Sequence, residues 1–430
     1  MEVQTKKTKM QYNVAKLFFK KGKLLNDKAK NSVDNGRRGS IIMPTGTGKT
    51  RIGVILIDHF INTVKVDKVL VLTPTEVIRD IQWKKELEKW NAGALTNKVQ
   101  FECINTAYKY KDKEFDLVIA DEVDVFVPND DLLFENSSKF YKFFMNNKIK
   151  NLVGFTAEVP FNKRRAINSI APVLFKMNIN EAVSEGFISN FKILNFPVKL
   201  TEKEQEEYDV NQEKYLFLEE ELGGVMDAYY NAQTLMKNKD GGLETSRAYA
   251  YMSCVRTRSN ILMYAKNRIP LVNQFIDYMN KPVIVFNEYI DLANEVRKIR
   301  LKKNDTVCFH NKITPKSRRI NNLKEFSDSH SPINVLSTVK AINRGYDVPK
   351  VKFGIVASSG DSQKYIFIQR IGRVLRLDDE LDSLIIQLYV PNSQDEKWLK
   401  GRTYGIRKDK MLFIDDENFV KQEIEKLNGF

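Results

Sequence analysis

The stretch MPTGTGKT, residues 43–50, packs two glycines, three hydroxyl side chains and a lysine into eight positions. That mixture suits the holding of a phosphate chain. Gly46 and Gly48 let the backbone curl until its N–H groups face phosphate oxygens. Pro44, Thr45 and Thr47 complete the loop. Lys49 would reach the β- and γ-phosphates, and the Thr50 hydroxyl would ligate Mg2+. The apolar run SIIM ends at Met43 and a helical pattern opens at Lys49, so the positive end of a helix dipole adds to the site. The plain alternative is a Gly/Thr turn between strand and helix, and the strand–loop–helix setting argues against it. Met43 stands where the general phosphate-loop pattern has its first glycine.

FDLVIADEVDVF (115–126) supplies a second half. Asp121 and Glu122 follow an apolar strand, at the carboxyl edge where open α/β sheets bind ligands. One carboxylate can hold Mg2+ and the next can polarise an attacking water. Asp121 is assigned to the metal and Glu122 to the base. A third stretch, QRIGRVLR (369–376), carries three arginines among apolar residues. On a helix of about 100° per residue, Phe367, Ile368, Ile371, Val374 and Leu375 share one face. Gln369, Arg373 and Arg376 share a narrow second face, and Arg370 lies off it. A solvated face paired with Asp378–Glu380 is the plain reading. The chain has a single phosphate loop, however, so these arginines are expected to reach across to it. Arginines supplied across an interface raise phosphoryl-transfer rates by roughly 10³–10⁵ in the best-studied cases.

These side chains need elements to hold them. In the first half, apolar runs recur at 40–43, 69–72, 101–104, 116–120 and 152–155. In the second half they recur at 193–198, 283–286, 306–309, 333–337, 353–356 and 384–389. Each precedes a helical pattern, which predicts α/β architecture: two domains with parallel sheets flanked by helices. The expected division is 1–187 and 188–430, with a helical insertion at about 201–268 in the second domain. Residues 202–221 there carry nine acids against two lysines. The chain as a whole has 430 residues and a net charge of +14, and residues 1–40 hold 11 Lys/Arg against 3 Asp/Glu. A polyanionic partner is therefore expected. Cys103, Cys254 and Cys308 are far apart, and His59, His310 and His330 stand alone. That argues against disulfides and a structural metal, and fits a reducing cytosol. No apolar run approaches membrane-spanning length, so a cytoplasmic protein with no membrane partner is expected.

In order along the chain, eight segments resemble the motifs of superfamily-two helicases, over nearly its whole length. MPTGTGKT looks like motif I, in which many members lack the first glycine. VLTPTEVIRDIQWKKELEKW resembles motif Ia, INTAYKY motif Ib, DEVD motif II and GFTAE motif III. VIVFNEYIDLANEV resembles motif IV, VLSTVKAINRGYDVP motif V and QRIGRVLR motif VI. The resemblance implies two RecA-like domains, ATP and Mg2+ in the cleft between them, and nucleic acid across their top. It implies that Gln11 contacts adenine, that Gly345 and Asp347 touch the nucleotide from the second domain beside Gln369, and that Arg373 and Arg376 are arginine fingers. It further implies that Thr156 and Ala157 couple hydrolysis to movement, while Pro74, Thr75, Asn105, Thr106 and Thr338 meet the nucleic acid backbone.

Motif III ends in Glu158 where most relatives carry threonine, and motif VI opens with glutamine where DEAD-box RNA helicases have histidine. Together with NINEAVSEGFISNFKI after motif III, the pattern looks most like DNA branch-migration helicases of the UvsW type found in bacteriophages, and more distantly like RecG. The expected function is ATP-dependent unwinding or branch migration of forked, branched or partly single-stranded DNA, in a host-cell cytoplasm if phage-encoded, with no oligomer required. The rivals are an RNA helicase of the same superfamily, the motor subunit of a restriction or defence complex, and an ATP-gated clamp that does not unwind. The wedge that would part strands is not placed. The aromatic stretch FENSSKFYKFF (134–144) is a candidate, though an amphipathic core helix explains it better.

Overall fold

The computed structural model describes residues 2–21, 23–24, 36–76, 78–132, 139–238, 242–339, 351–360, 364–375 and 382–429. Two sheets organise the chain. The first contains β1 (Lys23–Leu24), β2 (Arg37–Ile42), β3 (Val69–Thr73), β4 (Val99–Cys103), β5 (Glu114–Asp121), β6 (Lys148–Thr156) and β7 (Val173–Lys176). Its order is β1-β2-β6-β5-β3-β4, with β7 also on β2. Only β1 runs antiparallel to its neighbour among these pairings. The second contains β8 (Phe191–Pro197), β9 (Val283–Phe286), β10 (Thr306–Phe309), β11 (Val335–Thr338), β12 (Phe353–Val356), β13 (Ser383–Tyr389) and β14 (Met411–Phe413). It is parallel throughout, in the order β10-β11-β9-β12-β13-β8-β14.

The apolar runs dictate this layering. A strand's side chains alternate between faces, so a run without polar interruption must be covered on both sides. In β3, Val69 and Val71 join one core cluster while Leu70 and Leu72 join another. In β9, Ile284 and Phe286 enter the first of those clusters, and Val283 and Val285 a third. One cluster therefore runs through both lobes. In it Met43 and Phe155 are continuous with Phe187, Phe191, Phe367, Ile371 and Leu375. The helices α1 (Glu2–Lys21), α2 (Lys49–Asp58) and α3 (Trp83–Lys89) cover this face in the first lobe. Parallel strands send their carboxyl ends to one edge, so the loops after β2, β3, β5 and β6 rise together there.

Between β8 and β9 stand the helix Arg268–Asp277 and, before it, three helices, Glu202–Glu221, Gly224–Asn238 and Leu243–Met263. Thr201 and Glu204 close a capping box at the first of them. They have their own small core of Leu218, Leu222, Ala228, Ala232, Ala248, Tyr251 and Cys254. Of FENSSKFYKFF, residues 134–138 lie outside the described residues. Tyr141, Phe143 and Phe144 sit on a short helix and are buried beneath the first sheet. Among the described residues no helix is long and apolar enough to cross a membrane.

The second lobe is pinned around the buried Asp395, whose Oδ2 pairs with Arg268 Nη2 at 2.7 Å and whose Oδ1 lies 4.0 Å from Arg402 Nη1. Arg268 also donates to the carbonyls of Ala357, Leu388 and Leu262, and Asp395 accepts the N–H of Val390. Removing one partner of such a pair strands the other charge without water, at a cost of about 3–5 kcal/mol. Asp395→Ala should therefore lower the melting temperature by several degrees, measured by calorimetry. An unchanged transition would show that the pair does not hold the lobe together.

Candidate ATP site

The phosphate loop has the predicted form. Gly46 and Gly48 take φ of 88° and 98°, the left-handed region that favours glycine. Gly48 caps α2, and a Cβ there would lie 2.0 Å from Gln11 Nε2. Thr47 Oγ1 donates to the Pro44 carbonyl at 2.7 Å, which tightens the loop. Gln11 reaches over from α1, and its Nε2 donates to the Thr47 carbonyl at 3.0 Å. Its Oε1 is buried without a hydrogen-bond partner, as is the Thr45 hydroxyl. Lys49 is buried and donates to the Met43 carbonyl at 2.9 Å. Burial pushes its ammonium pKa down, against the pull of Glu122 and Asp121. Thr50, Asp121, Glu122 and Arg373 line the same cavity of about 320 Å³, with Gln11, Thr45, Gly46, Gly48 and Lys49.

The acids are equally enclosed. Asp121 ends β5, and the next residue, Glu122, takes φ 58° and ψ 57°, a left-handed conformation that a side chain enters at a cost of about 1–3 kcal/mol. Asp121 and Glu122 both line the cavity beside the phosphate loop. The indole N–H of Trp83 donates to Asp121 Oδ2 at 3.0 Å. Thr156 Oγ1 donates to Asp124 Oδ1 at 2.9 Å, so the end of β6 is tied to the acidic loop, and Ala157 beside it is buried. Lys163 donates to the carbonyls of Asp124 and Val127.

The second lobe closes the site with the end of its arginine helix. That helix spans Lys364–Ile371, shorter than the continuous helix expected through Arg376. Gly372 follows, and a turn carries Arg373, whose N–H bonds to the Arg370 carbonyl. A Cβ on Gly372 would lie 2.8 Å from Thr45 Cβ, so glycine permits the turn to rest on the phosphate loop. Phe367, Ile368, Ile371, Val374 and Leu375 are all buried, as the apolar face requires. Gln369 Nε2 approaches Glu122 Oε2 at 3.4 Å across the cleft. Arg373 is buried, and burial lowers its pKa while Glu122 and Asp121 raise it. Arg370 has a job within its own lobe, donating to Ser359 Oγ at 3.0 Å and facing Glu288 at 3.5 Å. Arg376, Gly345 and Asp347 lie outside the described residues.

The residues read as nucleic acid contacts divide. Asn105 and Thr106 are exposed after β4, and Thr75 is half-buried after β3. Pro74 is buried. Thr338 departs from its expected role. It is fully buried, and its hydroxyl donates to the carbonyls of Phe309 and Val339, because it ends β11 beneath neighbouring strands. Lys316 and Glu76 pair at 2.6 Å, bringing the carboxyl edges of the two sheets together.

Several site residues escaped the sequence reading. Lys7 donates to the carbonyls of Gly46 and Phe187. Arg51 lies 3.6 Å over the Trp90 ring and bonds Thr8. Gln82, Glu86 and Trp90 wall the cavity from the segment after β3. Their only sequence signal was the QWKKELEKW pattern, which spacing alone does not aim at a nucleotide.

The cavity fits ATP with Mg2+. The buried Gln11 Oε1 and Thr45 hydroxyl offer unused polar capacity, glycine backbone lines the phosphate position, and Thr50 and Asp121 offer oxygen ligands of the kind Mg2+ takes. Burial, and then Glu122, push the Asp121 carboxyl up from 3.8 to about 6, against Lys49, the Trp83 N–H and Arg373. A raised folded-state pKa gives stability that is present at low pH and is lost as pH rises through about 6. Asp121→Asn keeps an acceptor for Trp83 and removes that loss. It should stabilise the nucleotide-free protein by roughly 1–3 kcal/mol at pH 7.5, with the gain shrinking below pH 6 in thermal melts. A lower melting temperature at pH 7.5 would contradict the burial account.

The family described as Type III restriction enzyme, res subunit, matches residues 6–220, and the helicase conserved C-terminal domain matches 268–378. The chain is 24% identical over 380 residues to the DNA 3'-5' translocase XPB2 of Sulfurisphaera tokodaii, covering 85% of this chain and 81% of that one. It superposes on S. cerevisiae Dbp5 bound to RNA and ADP BeF3 with a TM-score of 0.59 at 15% identity, covering 92% and 90% of the two chains. The two parallel-sheet lobes are thus a RecA-like pair, and the chain belongs to the superfamily-two helicases, ATP-dependent helicases and translocases of nucleic acid.

Proposed function

We propose that the chain is an ATP-driven DNA translocase that remodels forked and branched DNA, in the manner of the UvsW-type helicases its motifs resemble. The observation that supports a working motor is the cross-lobe placement of Gln369 and Arg373 against Glu122 and the phosphate loop. Glu122 polarises a water, whose oxygen attacks the γ-phosphorus as its proton passes to the carboxylate. Lys49 and Arg373 offset charge on the phosphoryl oxygens and the ADP leaving group. Thr50 and Asp121 would hold Mg2+, which supplies further charge neutralisation on the β- and γ-oxygens. Closure on ATP draws the loops after β3 and β4 toward the second lobe along one strand, and hydrolysis lets them part. Likeness to a DNA translocase over most of the chain supports DNA, and the net charge of +14 supports backbone-dominated binding.

Lys49→Ala should abolish nucleic-acid-stimulated ATP hydrolysis, and Arg373→Ala should cut it by roughly 10³-fold or more while ATP binding persists. Loss of DNA affinity with hydrolysis intact would mean that Arg373 reads DNA and not phosphate. Unwinding of a four-way junction and a fork should exceed that of a tailed duplex. Equal rates on all three would sink the branch-migration reading, and stronger stimulation by RNA would favour the RNA helicase.

A further inference from the structure

We propose that Trp83 is a positioning residue for Asp121, tying the segment after β3 to the hydrolytic centre; the inference rests on reading Asp121 as the carboxylate that holds Mg2+. Trp83 opens α3 and is wholly buried. Its indole has one N–H, spent on Asp121 Oδ2 at 3.0 Å. With that oxygen fixed, Oδ1 remains to face the cleft in a set direction. Partners of this kind orient metal ligands, and losing one typically costs 10–100-fold in metal affinity or activity.

The ring is packed closely against α2. A Cβ on Gly53 of α2 would lie 2.5 Å from Trp83 Cη2 and 3.4 Å from Phe155 Cε2. One indole is therefore wedged among the helix that follows the phosphate loop, the end of β6 just before Thr156, and the acid that ends β5. Its chain connection leads elsewhere. The residues immediately before Trp83 form a π-helical turn, Ile78–Gln82, a form that concentrates at functional sites. That turn begins just after Thr75 and Glu76, and Glu76 meets Lys316 of the second lobe. Gln82 Oε1, within the same turn, is buried without a hydrogen-bond partner and its residue lines the nucleotide cavity. A strand seated on Thr75, or a shift at the lobe seam, moves a segment whose far end holds Asp121.

Trp83→Phe keeps a buried ring and deletes the N–H. Binding of a fluorescent ATP analogue without Mg2+ should change less than about twofold, while the Mg2+ concentration giving half-maximal enhancement of that binding rises about tenfold. In turnover, kcat should fall about tenfold with the KM for ATP little changed, and stimulation by DNA should weaken. A folded Trp83→Phe protein with the native Mg2+ response overturns the proposal. Asp121→Asn beside it separates two failures. If Asp121→Asn also keeps the native Mg2+ response, the metal assignment is wrong; if it alone loses the response, only the Trp83 proposal falls. Should Trp83→Phe not fold, the Trp90→Phe/Trp398→Phe protein leaves Trp83 as the single tryptophan. Its emission should change on adding Mg2+ to the nucleotide complex, and an Mg2+-insensitive emission overturns the proposal.

Discussion

Two cations and two carboxylates line one cleft, each nearly buried by the protein around it. Lys49, Asp121 and Glu122 come from the first lobe and Arg373 from the second, and none is more than 9% exposed. Burying a charge costs several kcal/mol, and Lys49 and Arg373 offset only part of that cost for Asp121. The perturbed acid and lysine follow directly, with the carboxyl of Asp121 pushed up and the ammonium of Lys49 pushed down by burial. The same enclosure makes each charge effective on phosphate, because low dielectric and fixed positions strengthen its field.

The rest of the fold serves that placement. Parallel strands put the phosphate loop, the acidic turn and the Thr156 bond at one edge. The left-handed turn at Glu122 is strain held by the buried loop around it, through Lys163 and Thr156. In the second lobe, Arg370 fixes its helix to Ser359, and Arg402 bonds the carbonyl of that same serine while its Nε reaches Gln387. The arginine helix is thereby braced at its own lobe before Gly372 turns Arg373 outward. Arg370 is thus spent within its own lobe, while Arg373 lines the cavity shared with the phosphate loop.

All eleven apolar runs in the sequence fall on strands, most of them buried on both faces, which leaves little else for short apolar segments to do. Lys23–Leu24, Val173–Lys176 and Met411–Phe413 were not legible, being short and, for the latter two, only partly buried. The phosphate loop and the acids could be read because their chemistry depends on neighbours in sequence. The wheel put Arg373 on the face that lines the cavity, yet it overran the helix end, since Gly372 leaves the helix to meet Thr45. Trp83, Lys7 and Arg51 were invisible, because their roles come from side chains meeting across separate elements. The burial of Thr338 was not legible, because motif spacing does not tell whether a strand-end hydroxyl turns outward or back onto carbonyls.

If the second lobe completes the hydrolytic site, occupancy of that site must be felt in the distance between lobes. The three cysteines are buried, which leaves exposed Lys111 and Lys302 suitable for paired Cys substitution and spin labels, one on each lobe. Double electron–electron resonance should show the interlobe distance distribution narrowing when ADP with a γ-phosphate mimic binds, and Arg373→Ala should abolish that narrowing. A distribution that ignores the nucleotide, or that narrows equally without Arg373, would contradict the account.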